Sequence, residues 1–156
     1  MLKRSLLAAV AFTFTLGVAV AADAIKLELK DFKMKCAFDG GADLVGHDEG
    51  ENRLFFYANG SGTCEVKIPA DGEYTIKLDM GCTKAEKDFA QIKLAVGDTV
   101  VKEKFDLTTE DQKEYTFTAK LKKGDSKLVV SFLNDKFKEG EYDLNFYLYK
   151  ASIEKK

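Results

Sequence analysis

The sequence predicts an all-β fold, an antiparallel β-sandwich or jelly roll of about nine strands. Three observations carry that reading. Apolar residues recur with a period of two along most of the chain; turn signals separate the alternating runs at short intervals; no long helical pattern follows the amino-terminal stretch.

The first element in order is a leader. "MLKRSLLAAVAFTFTLGVAVAADA" opens with Lys3 and Arg4, runs uncharged from Ser5 to Ala22 and ends in small residues, the layout of a secretory signal peptide. A cut after Ala21 satisfies the small-x-small rule with Ala19 and Ala21, so residues 1–21 read as signal peptide and 22–156 as a single β-sandwich domain. The run is also about the length of a membrane span, which leaves an uncleaved anchor as the alternative; Gly17 and the crowded small residues favour cleavage. The expected location is secreted or periplasmic, with no membrane contact after cleavage. Without the leader, 22 basic and 26 acidic residues remain, a formal charge of −4. That balance offers no handle to nucleic acid or anionic lipid.

The strands follow. In "EYTIKLDMG", Tyr74, Ile76, Leu78 and Met80 alternate with Thr75, Lys77 and Asp79. Ala90, Ile92, Leu94 and Val96 do the same in "FAQIKLAVGD", and Tyr115, Phe117, Ala119 and Leu121 in "EYTFTAKL". Each reads as a strand with one buried and one wet face. Further strands are expected over 24–34, 54–57, 63–68, 99–105, 127–133 and 145–153. Turns fall at "PADGE" (69–73), "VGDT" (96–99) and "KKGDS" (122–126). Only 83–90 and 107–114 have the composition for a helical turn, and both are short.

Three cysteines, Cys36, Cys64 and Cys82, lie in the exported part. One bridge would leave an odd thiol. Cys64 and Cys82 share the parity of apolar neighbours, so buried thiols are one reading and a Cys64–Cys82 bridge the other. No Cys/His spacing suits zinc.

Catalytic constellations find little support. His47, the single histidine, stands in the polar "VGHDEGENR" without a strained Ser elbow and reads as a solvated loop residue. "GSG" (60–62) opens no helix and cannot cradle phosphate. A sandwich of this size leaves little chain for the deep carboxylate-flanked cleft of a glycosidase. The chain is therefore not expected to be an enzyme.

One loop stands apart. "SFLNDKFKEGEYDLNFYLYKASI" (131–153) begins and ends as strand, yet its middle carries Asn134, Asp135, Glu139, Glu141, Asp143 and Asn145. It reads either as a solvated hairpin loop, with Lys136 and Lys138 balancing the charge, or as oxygens gathered for calcium, which takes roughly six to eight hard oxygen ligands. Asp143 and Asn145, two apart, point the same way in a strand, and Asp135 approaches from the opposite flank.

"FLND…YDLNFYLYKASI" (132–153) resembles the closing segment of the calcium-dependent, xylan-binding carbohydrate-binding modules. "YANGSGTCEVKIPADGEYTIKLDMG" (57–81), "AQIKLAVGDTVV" (90–101) and "KEYTFTAKLKKGDSKLVVSFLND" (113–135) are similar to that family's earlier strands. Leu144 stands where the family has Arg, Phe146 where it has Leu, and Tyr149 where it often has Asp. The resemblance implies a jelly roll that binds a xylan-like polysaccharide or other glycan through Ca2+. It further implies Asp135, Asp143 and Asn145 as ligands, with Asn134 in support, and Asp135 and Asp143 at the sugar.

Beside that loop, "HDEGEN" (47–52) reads as an exposed connector, or as lining the same rim or holding a second ion. Alternation sends Phe56 one way and Phe55 with Tyr57 the other, which makes an exposed Tyr57 a candidate sugar platform. The alternative function is an exported structural or protein-binding sandwich that has lost the ion site.

Overall fold

The computed structural model describes residues 24–156; the expected signal peptide, residues 1–21, lies outside them. Two antiparallel sheets face each other. The first orders β3 (Val45–Asp48), β4 (Arg53–Phe56), β13 (Phe146–Lys155), β6 (Gly72–Cys82) and β9 (Lys113–Leu121), with β1 (Ile25–Leu27) also on β13. The second orders β2 (Lys33–Cys36), β5 (Gly60–Ile68), β10 (Gly124–Phe132), β7 (Gln91–Val96) and β8 (Thr99–Asp106). A ribbon of β11 (Phe137–Lys138) and β12 (Tyr142–Asp143) completes the set.

The sandwich class is as the alternation predicts. Ile76, Leu78, Met80, Ile92, Leu94, Leu128 and Val130 are fully buried, while their strand neighbours face out. Thirteen strands replace the expected nine because short pieces pair separately. The span 24–34 is not continuous. Leu27 and Leu29 are buried two apart, but Phe32 is buried on the opposite parity. A 3-10 turn at Leu29–Asp31 resets the phase and carries the chain from β13's sheet to β5's.

Residues 83–90 and 107–114 form no helix; Ala85 and Asp88 close the first by reciprocal backbone hydrogen bonds of 3.1 and 2.8 Å. "GSG" lies within β5, not between strands. The three thiols are free and buried, so the candidate Cys64–Cys82 bridge is not formed; the two lie on strands of opposite sheets. Burial pushes the Cys64 and Cys82 thiols up.

At one pole of the sandwich three rings tie the sheets together. Phe146 on β13 lies 5.2 Å from Phe56 on β4 and 6.0 Å from Phe132 on β10, centroid to centroid. Burying each such ring contributes about 1.5–3 kcal/mol. These are the strand ends between which the acidic loop is hung, so the loop starts and finishes on rigid ground.

Candidate functional site

After β10 the chain stays bonded to the second sheet for two more residues. Leu133 donates its amide to the Gln91 carbonyl (2.9 Å), and Asn134 imitates the next strand residue with its side chain. Its Oδ1 accepts from the Gln91 amide (2.7 Å) and its Nδ2 donates to the Phe89 carbonyl (2.9 Å). Both ends of that amide are spent where loop 83–90 runs into β7.

Asp135 comes next and turns the other way. Its amide donates to Asn59 Oδ1 at 2.8 Å, while its own Oδ1 is buried without a hydrogen-bond partner. Burial, then the nearby Asp143 carboxylate, hold the Asp135 carboxyl above the ordinary range. From there the loop is a ribbon in which Phe137 stands opposite Asp143 and Lys138 opposite Tyr142. The two lysines pair away from Asp135 and Asp143: Lys136 with Asp88, and Lys138 with Glu141 at 2.6 Å.

The return leg is held by Thr83. Its hydroxyl donates to the Asp143 carbonyl and accepts from the Asn145 amide at 2.7 Å. Flanked by the fully buried Leu144 and Phe146, Asn145 is itself 6% exposed, and its Oδ1 has no hydrogen-bond partner. A buried oxygen without a donor costs roughly 1–3 kcal/mol, a cost that a water or an ion at the oxygen would relieve.

Asp135, Asp143 and Asn145 line one cleft of about 660 Å³, and so does Tyr57. Asn134 does not. Among the described residues no three acidic, His or Cys side chains cluster into a metal cage. The donors here are two carboxylates and one amide oxygen, all hard oxygen, which suits calcium; two of them, Asp135 Oδ1 and Asn145 Oδ1, are unpartnered. The donor set therefore fits the ion, with backbone carbonyls, water or ligand oxygens needed to fill the shell.

Around these oxygens the rim is apolar. Phe137 is 69% exposed, Phe38 54%, Tyr57 39% and Leu44 37%, and all four line the cleft. Of the large hydrophobic side chains exposed among the described residues, only Val100 lies elsewhere, on β8. Sequence reading found Tyr57 but missed Phe38 and Phe137. Phe137, a lone ring between two lysines in an acidic loop, was the readable signal. Asn59 and Thr83, which hold the backbone at Asp135 and on either side of Leu144, were missed too, because nothing local in their sequence marks a contact so distant along the chain.

The other candidates fall outside the cleft. His47 lies in β3 opposite Leu54, half-buried with Nε2 unpartnered, and is not the loop residue expected. "HDEGEN" is a hairpin connector: Asp48 Oδ1 accepts from the Gly50 and Glu51 amides at 3.0 and 3.2 Å, and Arg53 stands 3.9 Å from its other oxygen.

A family model described as "Ca-dependent carbohydrate-binding module xylan-binding" (CBM60) matches residues 75–156. No curated protein matches in sequence. Among solved structures, the CBM36-1 domain of a multidomain xylanase from the hindgut metagenome of Trinervitermes trinervoides superposes with a TM-score of 0.60 at 13% identity, over 84% of this chain and 96% of its own. A CBM36 module in complex with calcium and xylotriose gives 0.52 at 12%, over 85% and 98%. A family 35 carbohydrate-binding module from Clostridium thermocellum gives 0.53 at 12%, over 85% and 98%. At these identities the structural likeness speaks to the fold alone.

Proposed function

The chain belongs to the calcium-dependent, xylan-binding carbohydrate-binding module family, and on that footing we propose that it is an exported, non-catalytic module that grips polysaccharide hydroxyls at the 135–145 cleft. The observation carrying this is the pair of buried, unpartnered oxygens, Asp135 Oδ1 and Asn145 Oδ1, on two residues that line the same cleft as Asp143.

Asp135, Asp143 and Asn145 would hold the ion, Asp135 fixed by Asn59 and Asn145 by Thr83. Bound calcium supplies a charge that neutralises the two carboxylates and open positions for a vicinal diol. Asn134 acts one step back, pinning the strand from which Asp135 departs. Diverting Lys136 to Asp88 and Lys138 to Glu141 keeps the carboxylates free for a cation. Phe38, Phe137 and Tyr57 offer the sugar's apolar face a surface, in a chain that contains no Trp. The xylan-like substrate follows from the family, and export from the leader at 1–21.

Melting of the mature protein with millimolar calcium and with chelator tests this reading. Stabilisation should grow with the logarithm of free calcium, should vanish in Asp143→Ala, and should grow again with a bound glycan from a polysaccharide panel. No calcium-linked shift would overturn it in favour of an exported sandwich without an ion site.

A further inference from the structure

Beyond the cleft, the outer face of the first sheet carries a row of rings that the proposed ion site does not use. Leu54, Phe56 and Leu148 point inward and are fully buried, so Arg53, Phe55 and Tyr147 point outward on the paired strands β4 and β13. Phe55 and Tyr57 lie 4.7 Å apart by ring centroid, Tyr57 and Tyr147 6.4 Å, Tyr147 and Tyr149 6.4 Å. The Arg53 guanidinium rests 4.2 Å over the Tyr147 ring.

Two glycines let these rings lie down on the sheet. Across the strands the row reads Gly46, Phe55, Tyr147, Gly81. A Cβ on Gly46 would stand 2.8 Å from the Phe55 ring, and one on Gly81 3.4 Å from Tyr149 and 3.1 Å from the Glu110 carbonyl. Any side chain at Gly46 would lift the Phe55 ring off the surface. The row is continuous with the cleft at one end, where Tyr57 and Tyr147 line it. At the other end Tyr149 enters a groove of about 460 Å³ with Asn52, Asp79, Glu114 and Lys150. From Tyr57 to Arg53 the row follows the strand for about 13 Å at ~3.3 Å per residue, longer than a single sugar ring.

We infer that the glycan site extends from the cleft along this row, so that an extended polysaccharide strand, one sugar held at the cleft, lays its further units over Tyr147, Arg53 and Tyr149 toward the groove. The occupant follows from continuity with the cleft and from chemistry. Amphipathic rings and a guanidinium plane suit pyranoses, which alternate apolar faces with hydroxyl edges, and the groove's carboxylates, amide and amines supply hydroxyl partners. The inference rests on the reading of the cleft as a sugar site.

Calorimetric titration of the calcium-loaded protein with xylobiose and xylohexaose separates the two. The longer chain is expected to bind wild type several-fold more tightly. Tyr149→Ala should weaken xylohexaose by about five- to tenfold while leaving xylobiose affinity and the calcium-linked melting shift unchanged. Equal affinity of wild type for both chains would overturn the extension and spare the cleft; so would a Tyr149→Ala loss shared equally by both. Absence of binding to either chain would overturn the extension together with the sugar reading of the cleft. The wild-type length dependence decides the matter even if Tyr149→Ala fails to fold.

Discussion

Thr83 and Asn145 are 62 residues apart in sequence and joined by a 2.7 Å hydrogen bond, the Asn145 amide donating to the Thr83 hydroxyl. The same hydroxyl donates to the Asp143 carbonyl. One side chain thus fixes the backbone on both sides of Leu144, and with it the directions of the two oxygen-bearing residues that flank it. Thr83→Val keeps the shape and removes both bonds. It should cost about 1–3 kcal/mol of stability and weaken calcium binding by about tenfold, while Thr83→Ser should restore both. Urea titration and calcium calorimetry check this; loss of stability with unaltered calcium affinity would make Thr83 merely structural.

Asp135 contributes a falling arm to the pH dependence of the ion-free protein, opposite in sign to that of Glu73 and Asp88, whose lysine partners lower them. Burial and Asp143 raise its native value, so the folded state keeps a proton that the unfolded chain releases near its ordinary value of about 3.9. Where the folded state holds more protons, stability falls as pH rises. Its contribution should therefore be favourable in acid and lost between the ordinary and the raised value. Asp135→Asn should remove that part of the slope. Chelator-treated urea titrations of the two proteins across this window give the comparison, and a wild type that gains stability relative to the variant with rising pH reverses the expected sign.

Phe137 is exposed and opposite Asp143, so its ring adds little to the fold and, on the proposed reading, is offered to the glycan. Phe137→Ser should change stability by no more than about 0.5 kcal/mol. It should lower glycan affinity by about fivefold and leave the calcium-linked melting shift in place. A variant that binds glycan as well as wild type would remove the rim from the site.

Phe146 joins the sheets beneath the loop. Phe146→Ala opens a cavity between Phe56 and Phe132 and should cost about 3–5 kcal/mol. Because the loop's return leg ends at this residue, calcium affinity should fall as well. Denaturation with and without calcium separates the two effects, and a cost under a kilocalorie would mean the pole repacks.

Much of this was legible in the chain itself. Period-two alternation located the long strands around Ile76, Ile92, Phe117 and Val130, because a strand buried on one face has no other pattern open to it. The break at Leu29–Asp31 was hidden, since two residues of shifted parity look like noise until a partner strand is known. Asp135, Asp143 and Asn145 were readable as oxygens and as a family pattern. Whether Lys136 would neutralise them was not, because its partner Asp88 lies in a separate loop. Phe38 comes beside Asn59 and reaches the cleft because β2 pairs with β5, a relation between strands that no local window contains.

The pairing of β1 with β13 bears on how the protein is attached to other things. Ile25 stands opposite Ile153, about 24 Å along the strand from Phe146 at ~3.4 Å per residue. Both ends of the described chain therefore emerge at the pole remote from the loop. A resin, a fluorophore or a passenger domain tethered at the carboxy-terminal end leaves the mouth pointing outward, whereas one at Ala24 would stand beside the groove that Tyr149 enters.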